Sequence, residues 1–176
     1  MSRVASAEYD PAYRAGSLAL ALALAAIATA LGFEHIGGLE PCPLCLQQRY
    51  AYYAGIPGLF LALVLVAAEQ PRAATLVFFL VSLGFLANTG LGVYHAGIEW
   101  KFWPGPDTCS QPLGDLKPLP SGGGLLLDLA KARVVRCDAP AGTFLGLSFA
   151  GWNVIGSFLI FVAALQAAFA ASSRNR

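Results

Sequence analysis

Charged side chains are scarce in this 176-residue sequence. Asp, Glu, Lys and Arg make up 12% of it, whereas an ordinary soluble domain carries about 25%. The net charge is +1 and no run of like charges occurs, so nothing favours a nucleic acid or another electrostatically bound partner. Because 57% of the residues are hydrophobic and the mean hydropathy is +0.62, the composition indicates an integral membrane protein.

Motifs that would hold a common redox cofactor are also missing. The sequence has no haem-attachment motif, no Gly-rich dinucleotide fingerprint and no cysteine spacing typical of an iron–sulfur cluster. It has four cysteines. A structural zinc site with four cysteines usually has two close pairs, but Cys109 and Cys137 are far apart in the sequence. We therefore predict no metal site.

Four stretches without a charged residue are each long enough to cross a bilayer as a helix of about 20 residues. These stretches predict a single integral membrane domain, residues 1–176, folded as an all-α transmembrane four-helix bundle with spans at residues 15–33, 50–68, 73–94 and 144–171. An alternative for the first stretch is a cleaved signal sequence, because it contains Ala28-Thr29-Ala30. Either reading places the residues that follow on the outer side of the membrane.

The spans divide the connections between two sides of the membrane. A short loop, residues 34–49, and a long loop, residues 95–143, share one side, whereas both termini and the turn between the second and third spans share the other. Arginines close to span ends mark the cytoplasmic side, and they favour the termini and the turn: Arg14, Arg72, Arg174 and Arg176. All four cysteines then lie in the two periplasmic loops, where disulfides persist.

The long loop has two parts. Residues 104–124 are rich in proline and glycine, which predicts irregular backbone. Residues 125–136 predict a short amphipathic helix, because Leu127, Ala130 and Val134 would share one face of it. Polar positions are supplied by Asp128, Lys131 and Arg136. Such a helix could lie on the bilayer surface or pack on the bundle, and the sequence leaves both open.

The Cys42-Pro43-Leu44-Cys45 motif stands just before the second span. At a helix start, exposed N–H groups and the helix dipole stabilise a thiolate, which favours a redox pair over a structural disulfide. If the helix begins near Cys42, then Cys42, Cys45 and Arg49 share one stripe of it. A charge at the membrane edge is a functional hypothesis by default. Gln48 beside it is neutral, so the local sequence offers Arg49 no carboxylate partner.

Cys109 and Cys137 could form a disulfide that only closes the long loop, which the chain-entropy estimate values at roughly 3–4 kcal/mol. With a Cys-x-x-Cys on the same face, a redox role is favoured, because two dithiol pairs can relay two electrons by thiol–disulfide exchange. A lipid-soluble two-electron acceptor could reach Cys45 at the membrane edge. A quinone is the simplest such acceptor.

The motifs together resemble the bacterial DsbB family of disulfide bond formation proteins, over about residues 16–166. The resemblance rests on the following segments: Cys42-Pro43-Leu44-Cys45-Leu46-Gln47-Gln48-Arg49, His95 through Trp103-Pro104, Cys109 with Cys137, and Phe144-Leu145-Gly146-Leu147. The DsbA–DsbB–quinone route is already known to keep the bacterial periplasm oxidising. The resemblance therefore implies a protein-disulfide:quinone oxidoreductase in the bacterial inner membrane.

That resemblance also implies roles for individual residues. A Cys109–Cys137 disulfide would oxidise a periplasmic thioredoxin-like dithiol protein similar to DsbA, with Cys109 attacked first. An exchange between Cys137 and Cys42 would pass the electrons to the Cys42–Cys45 pair, and Cys45 would donate to the quinone. Arg49 and His95 would lie at the quinone, for which ubiquinone is expected first and menaquinone second. From the residues alone, His95 is either a hydrogen-bonded interfacial histidine or a proton donor.

Two other functions fit part of the pattern. A vitamin-K-epoxide-reductase-like protein also combines four helices with a Cys-x-x-Cys and two loop cysteines, but in that family the motif follows the loop pair. In this sequence Cys42 comes first. The other alternative is a non-enzymatic membrane assembly protein with purely structural disulfides.

Overall fold

The computed structural model describes residues 10–106, 137–140 and 142–174. These ranges contain four long helices and one antiparallel hairpin, each strand of which has two residues. They are α1 (Pro11–His35), α2 (Pro43–Ala67), α3 (Pro71–Glu99), β1 (Thr143–Phe144), β2 (Leu147–Ser148) and α4 (Phe149–Ser173). All four helices are long and apolar enough to cross a membrane. The predicted all-α transmembrane four-helix bundle is confirmed.

Proline occupies the first helical position of α1, α2 and α3. This position suits proline because its fixed φ matches the helix and its missing N–H would have no partner there. In α1 the start is completed by Asp10, whose side chain accepts a hydrogen bond of 2.8 Å from the Ala12 N–H. The starts of α1 and α2 are thus encoded locally, by a proline and by the side chain of the residue before it.

Each helix packs against its two neighbours in the order α1, α2, α3, α4 and back to α1. Small residues let the helices approach closely, as is common between membrane helices. A Cβ added at Gly16 would lie 2.6 Å from Phe78, and one added at Gly55 would lie 2.6 Å from Phe85. Both phenylalanines belong to α3 and are fully buried, so a larger residue at either glycine would collide with the side chains that α3 places in the bundle interior.

The two ends of the bundle carry different groups. At one end, Arg174 forms an ion pair with Asp10, which joins the end of α4 to the start of α1. The helices alternate in direction, so the α1–α2 and α3–α4 connections meet at the opposite end. This arrangement agrees with the prediction that both cysteine-bearing loops share one side.

A polar cluster crosses the bundle interior between α2, α3 and α4. The Tyr52 hydroxyl donates to Asn153 Oδ1 at 2.8 Å, and Asn88 Nδ2 donates to Ser157 Oγ at 2.8 Å. Tyr52 also lies 3.2 Å from Ser157 Oγ. Buried hydrogen bonds of this kind fix how the three helices are rotated about their axes, because an unpaired polar group in an apolar interior is costly.

The helices extend beyond the predicted spans at the cysteine end. Helix α2 begins at Pro43 rather than at residue 50, and α3 runs to Glu99 rather than ending at residue 94. Hydropathy detects the segment inside hydrocarbon, whereas a helix continues until its backbone hydrogen bonds end. The short loop is therefore much tighter than predicted. The predicted amphipathic helix at 125–136 lies outside the described residues.

The fourth helix begins at Phe149, later than the predicted span start at residue 144. Before it, Thr143 pairs with Ser148 and Phe144 pairs with Leu147 in an antiparallel hairpin. The turn between them places Leu145 at φ 52° and Gly146 at φ 79°. Two successive residues at positive φ are characteristic of a tight hairpin turn, so apolar composition at this point does not mean helix.

Candidate active site

Cys42 and Cys45 lie at the start of α2. Cys42 is the residue that caps the helix, and the Cys45 N–H donates to its Sγ at 3.2 Å. The two sulfur atoms are 2.7 Å apart, and both residues are free thiols. The predicted helix start is confirmed, and with it the position of this pair among the exposed N–H groups of the first turn.

His95 reaches the pair from α3. Its Nε2 lies 3.6 Å from Cys42 Sγ, and its Nδ1 lies 3.0 Å from Gln48 Nε2. If the Gln48 amide donates to Nδ1, the neutral ring must carry its proton on Nε2, where it faces the sulfur. His95 is 2% exposed. Gln48 therefore directs the ring N–H at Cys42.

The Cys42 thiol is the acidic member of the pair. Its pKa is lowered to about 5, chiefly because Cys45 donates a hydrogen bond to the thiolate, against the opposing effect of burial. His95 adds a hydrogen bond and positive charge, and the Cys45 backbone N–H adds a further donor. Cys42 is therefore a thiolate at neutral pH and can attack a disulfide.

We expect the ultraviolet thiolate absorbance of the reduced protein to rise around pH 5. The sign follows from the lowered pKa: Cys42 is a thiolate above about pH 5 and a thiol below it. Cys45→Ala should move this rise towards the ordinary thiol value of about 8.5, because the main donor is lost. Cys45→Ser keeps an O–H donor and should leave it close to the wild-type position. A wild-type rise near pH 8.5 would contradict the assignment.

Cys137 lies in the same buried cluster as Cys42. Both side chains are buried, at 1% and 2% exposure, in one apolar cluster with Leu44 and Ile98. Cys137 is disulfide-bonded, and its backbone hydrogen-bonds the His95 ring. The structure thus brings a cysteine from the long loop to the Cys-x-x-Cys pair. Its predicted partner Cys109 lies outside the described residues.

A buried carboxylate completes the surroundings of His95. Glu99 Oε1 lies 3.9 Å from His95 Nε2, and the Glu99 side chain is 6% exposed. Ser148 hydrogen-bonds this carboxylate and also caps α4 by accepting from the Gly151 N–H at 3.2 Å. Among the described residues, the other oxygen, Oε2, has no hydrogen-bond partner. The hairpin before α4 thereby docks onto the last turn of α3.

Arg49 lies one turn beyond Cys45 on α2, as predicted. Its guanidinium forms an ion pair with Glu34 in the last turn of α1. The two side chains are 12% and 25% exposed, so the pair is partly shielded from solvent. Glu34 is the carboxylate that the sequence near Arg49 did not show, because it lies 15 positions earlier in the chain.

The spacing of the two sulfurs suits a dithiol pair better than a metal site. Both thiols and His95 Nε2 lie within 4.8 Å of one another. Two thiolates on a tetrahedral zinc ion would lie about 3.8 Å apart, given Zn–S bonds of about 2.3 Å. The Cys42–Cys45 separation of 2.7 Å is shorter than that and closer to the length of a disulfide bond, about 2.05 Å.

Several residues of the site were not found from the sequence. The sequence analysis assigned no role in the site to Glu34, Gln48, Glu99 or Ser148. A weak signal existed for Glu99, since it lies four positions after His95 on the same helix, where side chains meet. No local signal links Ser148 or Glu34 to the cysteines, because their positions depend on how the helices pack.

Known proteins resemble the chain along most of its length. The family model described as "Disulfide bond formation protein DsbB" matches residues 13–167. A Disulfide bond formation protein B from Methylococcus capsulatus is 37% identical over 145 residues, covering 74% of this chain and 78% of the relative. One from Aromatoleum aromaticum is 32% identical over 164 residues, covering 84% and 90%. No solved structure matches the chain.

Proposed function

Since the chain belongs to the DsbB family of disulfide bond formation proteins, we propose that it reoxidises a periplasmic DsbA-like dithiol protein and passes two electrons to a membrane quinone. Family membership and four apolar helices make it a multi-pass membrane oxidoreductase of disulfide formation. The proposal adds the electron donor, the electron acceptor and the order of the cysteines between them.

The burial of Cys137 and Cys42 in one apolar cluster is the observation that carries the proposal. Cys137 is disulfide-bonded, whereas Cys42 is a free thiol of low pKa in the same apolar cluster. Thiol–disulfide exchange needs a thiolate that can reach a disulfide sulfur. A purely structural disulfide in the long loop would gain nothing from lying against a reactive thiol, so their proximity favours a relay.

The relay can be written with balanced electrons. The partner's dithiol becomes a disulfide as the Cys109–Cys137 disulfide becomes a dithiol. The Cys137 thiolate then attacks Cys42 of a Cys42–Cys45 disulfide, which breaks that bond, and Cys109 resolves the Cys137–Cys42 bond; the loop pair is again a disulfide, and Cys42 and Cys45 are left reduced. Finally the Cys42 thiolate and the Cys45 thiol form a disulfide, which releases two electrons and one proton. A quinone, when bound, would take up these two electrons with two protons, one from Cys45 and one from solvent.

The surroundings of Cys45 suit a lipid-soluble acceptor. Cys45 is partly exposed, and its neighbours Leu46 and Tyr50 are 44% and 67% exposed, which makes this side of α2 apolar and open to lipid. Arg49 lies on the same helix, and a guanidinium has five N–H donors, so its pairing with Glu34 leaves capacity for another acceptor. We assign Cys45, Arg49 and His95 to the quinone site.

Sidedness follows from the same relay. The partner is periplasmic, so both cysteine loops face the periplasm and both termini face the cytoplasm of the bacterial inner membrane. The Asp10–Arg174 ion pair supports a common side for the chain ends. Disulfides persist only outside the reducing cytosol, which agrees with this orientation.

An anaerobic assay tests the proposal. The purified protein is mixed with a reduced thioredoxin-like dithiol protein and with a ubiquinone or a menaquinone analogue. We expect one quinol per partner disulfide formed, because both steps carry two electrons. Quinol is read by absorbance and partner disulfides by thiol counting. A non-enzymatic assembly protein would leave both substrates unchanged, and this result would end the proposal.

A further inference from the structure

Nε2 of His95 faces two acidic groups. Cys42 Sγ lies 3.6 Å away and Glu99 Oε1 lies 3.9 Å away. Cys42 takes part in the proposed electron relay, whereas Glu99 has no role in it. Yet Glu99 is 6% exposed, and its Oε2 has no hydrogen-bond partner among the described residues. A buried carboxylate with one oxygen left unpaired is costly unless a nearby cation offsets that cost.

The other described charges near this end of the bundle are mostly paired with one another. On the α1–α2 side, Arg49 pairs with Glu34. Beyond the end of α3, Lys101 pairs with Asp138 at 3.0 Å. Helix α4, Phe149–Ser173, contains no ionisable side chain. Among the described residues, Cys42 and Glu99 are the acidic groups that lie within 4 Å of His95 Nε2.

We propose that Glu99 is a positioning residue that keeps His95 protonated while Cys42 is held in a disulfide. This inference rests on the proposed function only in taking Cys42 and Cys45 as a redox pair. In the reduced protein, the Cys42 thiolate is the anion next to the ring. Once its sulfur enters a disulfide, that charge is gone. The backbone of Cys137 also bonds the ring but is neutral. Among the described residues, Glu99 is then the acidic group that remains at His95 Nε2, at 3.9 Å.

Gln48 is compatible with both charge states of the ring. Its amide can donate to an unprotonated Nδ1, and after a half-turn about its last bond its carbonyl oxygen can accept from a protonated Nδ1. The observed separation of 3.0 Å suits either orientation. A glutamate at this position could only accept while ionised, and it would compete with Glu99 for the positive charge.

The proposal predicts how the reduction potential of the Cys42–Cys45 pair changes with pH. Reducing the Cys42–Cys45 disulfide puts one proton on Cys45 and, between pH 6 and 8, none on Cys42, whose pKa is about 5. If His95 stays charged throughout, one proton accompanies two electrons. The equilibrium constant then changes tenfold per pH unit, which is about 30 mV for a two-electron couple. If His95 also gains a proton on reduction, the change is a hundredfold per unit, about 59 mV.

The experiment is a redox titration of the full chain in thiol buffers of known potential, from pH 6 to 8, with acid quenching and alkylation. Mass mapping of the peptide that contains Cys42 and Cys45 reads this pair alone. We expect about 30 mV per pH unit for the wild type and about 59 mV for Glu99→Gln. Glu99→Asp, which keeps the carboxylate, should stay near the wild-type slope, and so should the control Asp138→Asn, which removes a carboxylate paired with Lys101.

A second measurement reads the ring directly. The chain has two histidines, so nitrogen-labelled histidine gives two pairs of ring-nitrogen signals, and the exposed His35 is the internal reference. In the disulfide form at pH 7, His95 should be charged in the wild type and neutral in Glu99→Gln. A wild-type slope near 59 mV, or a neutral wild-type His95, would overturn the proposal without any variant. Neither measurement uses quinone or a partner protein, so failure here leaves the proposed function standing.

Discussion

Replacing Cys45 with serine should abolish electron transfer to quinone. The serine hydroxyl can still donate to Cys42, whose thiolate depends mainly on that donor, so the acidity of Cys42 is kept and only the second sulfur is lost. Without it the Cys42–Cys45 disulfide cannot form. We expect quinol production to fall by a factor on the order of 10³ or more, as when a covalent nucleophile is removed.

The same variant should also accumulate a specific product. In this variant the Cys42 thiolate can attack Cys137, but no thiol at position 45 is present to break the resulting bond. A Cys42–Cys137 disulfide should therefore accumulate. Peptide mass mapping without reductant detects it. Cys45→Ala serves as the comparison, since it removes both the sulfur and the hydrogen-bond donor. Normal turnover of either variant with quinone would show that Cys45 is not the donor sulfur.

Loss of Cys137 should separate the two halves of the reaction. We expect Cys137→Ala to stop oxidation of the protein partner, again by a factor on the order of 10³ or more. A small dithiol should still drive quinone reduction, because it can reach the partly exposed Cys45 without the loop pair. Alanine is preferred to serine here, since Cys137 is 1% exposed and a buried hydroxyl without a partner costs about 1–3 kcal/mol.

The comparison of both electron donors is the control. A variant that has lost its fold would fail with the protein partner and with the small dithiol alike. Cys109→Ala should behave as Cys137→Ala does, because either change opens the predicted loop disulfide. Unchanged rates with the protein partner in both variants would leave this pair a structural staple, whose loss would be visible only as lower stability, by roughly 3–4 kcal/mol on the chain-entropy estimate.

The sequence was most informative where chemistry is local. Uncharged stretches predicted four spans, and the structure has four apolar helices at those places. Pro43 and the cysteine before it predicted a helix start, and α2 begins there. Span ends were less accurate, since hydropathy does not detect the polar turns that extend α2 and α3 beyond the membrane core. The hairpin at Thr143–Ser148 was not predicted, because its apolar residues were included in the start of the fourth span.

The sequence by itself determined the membrane class, the four spans and the reactive start of α2, because each depends on neighbouring residues and on the period of a helix. Tertiary structure alone decided which side chains meet at that start. Cys137 shares a buried cluster with Cys42, Glu34 pairs with Arg49, and Glu99 faces His95 Nε2 together with the Cys42 sulfur. Such contacts depend on the rotation and depth of each helix in the bundle, which are set by packing of small residues and by buried hydrogen bonds between helices.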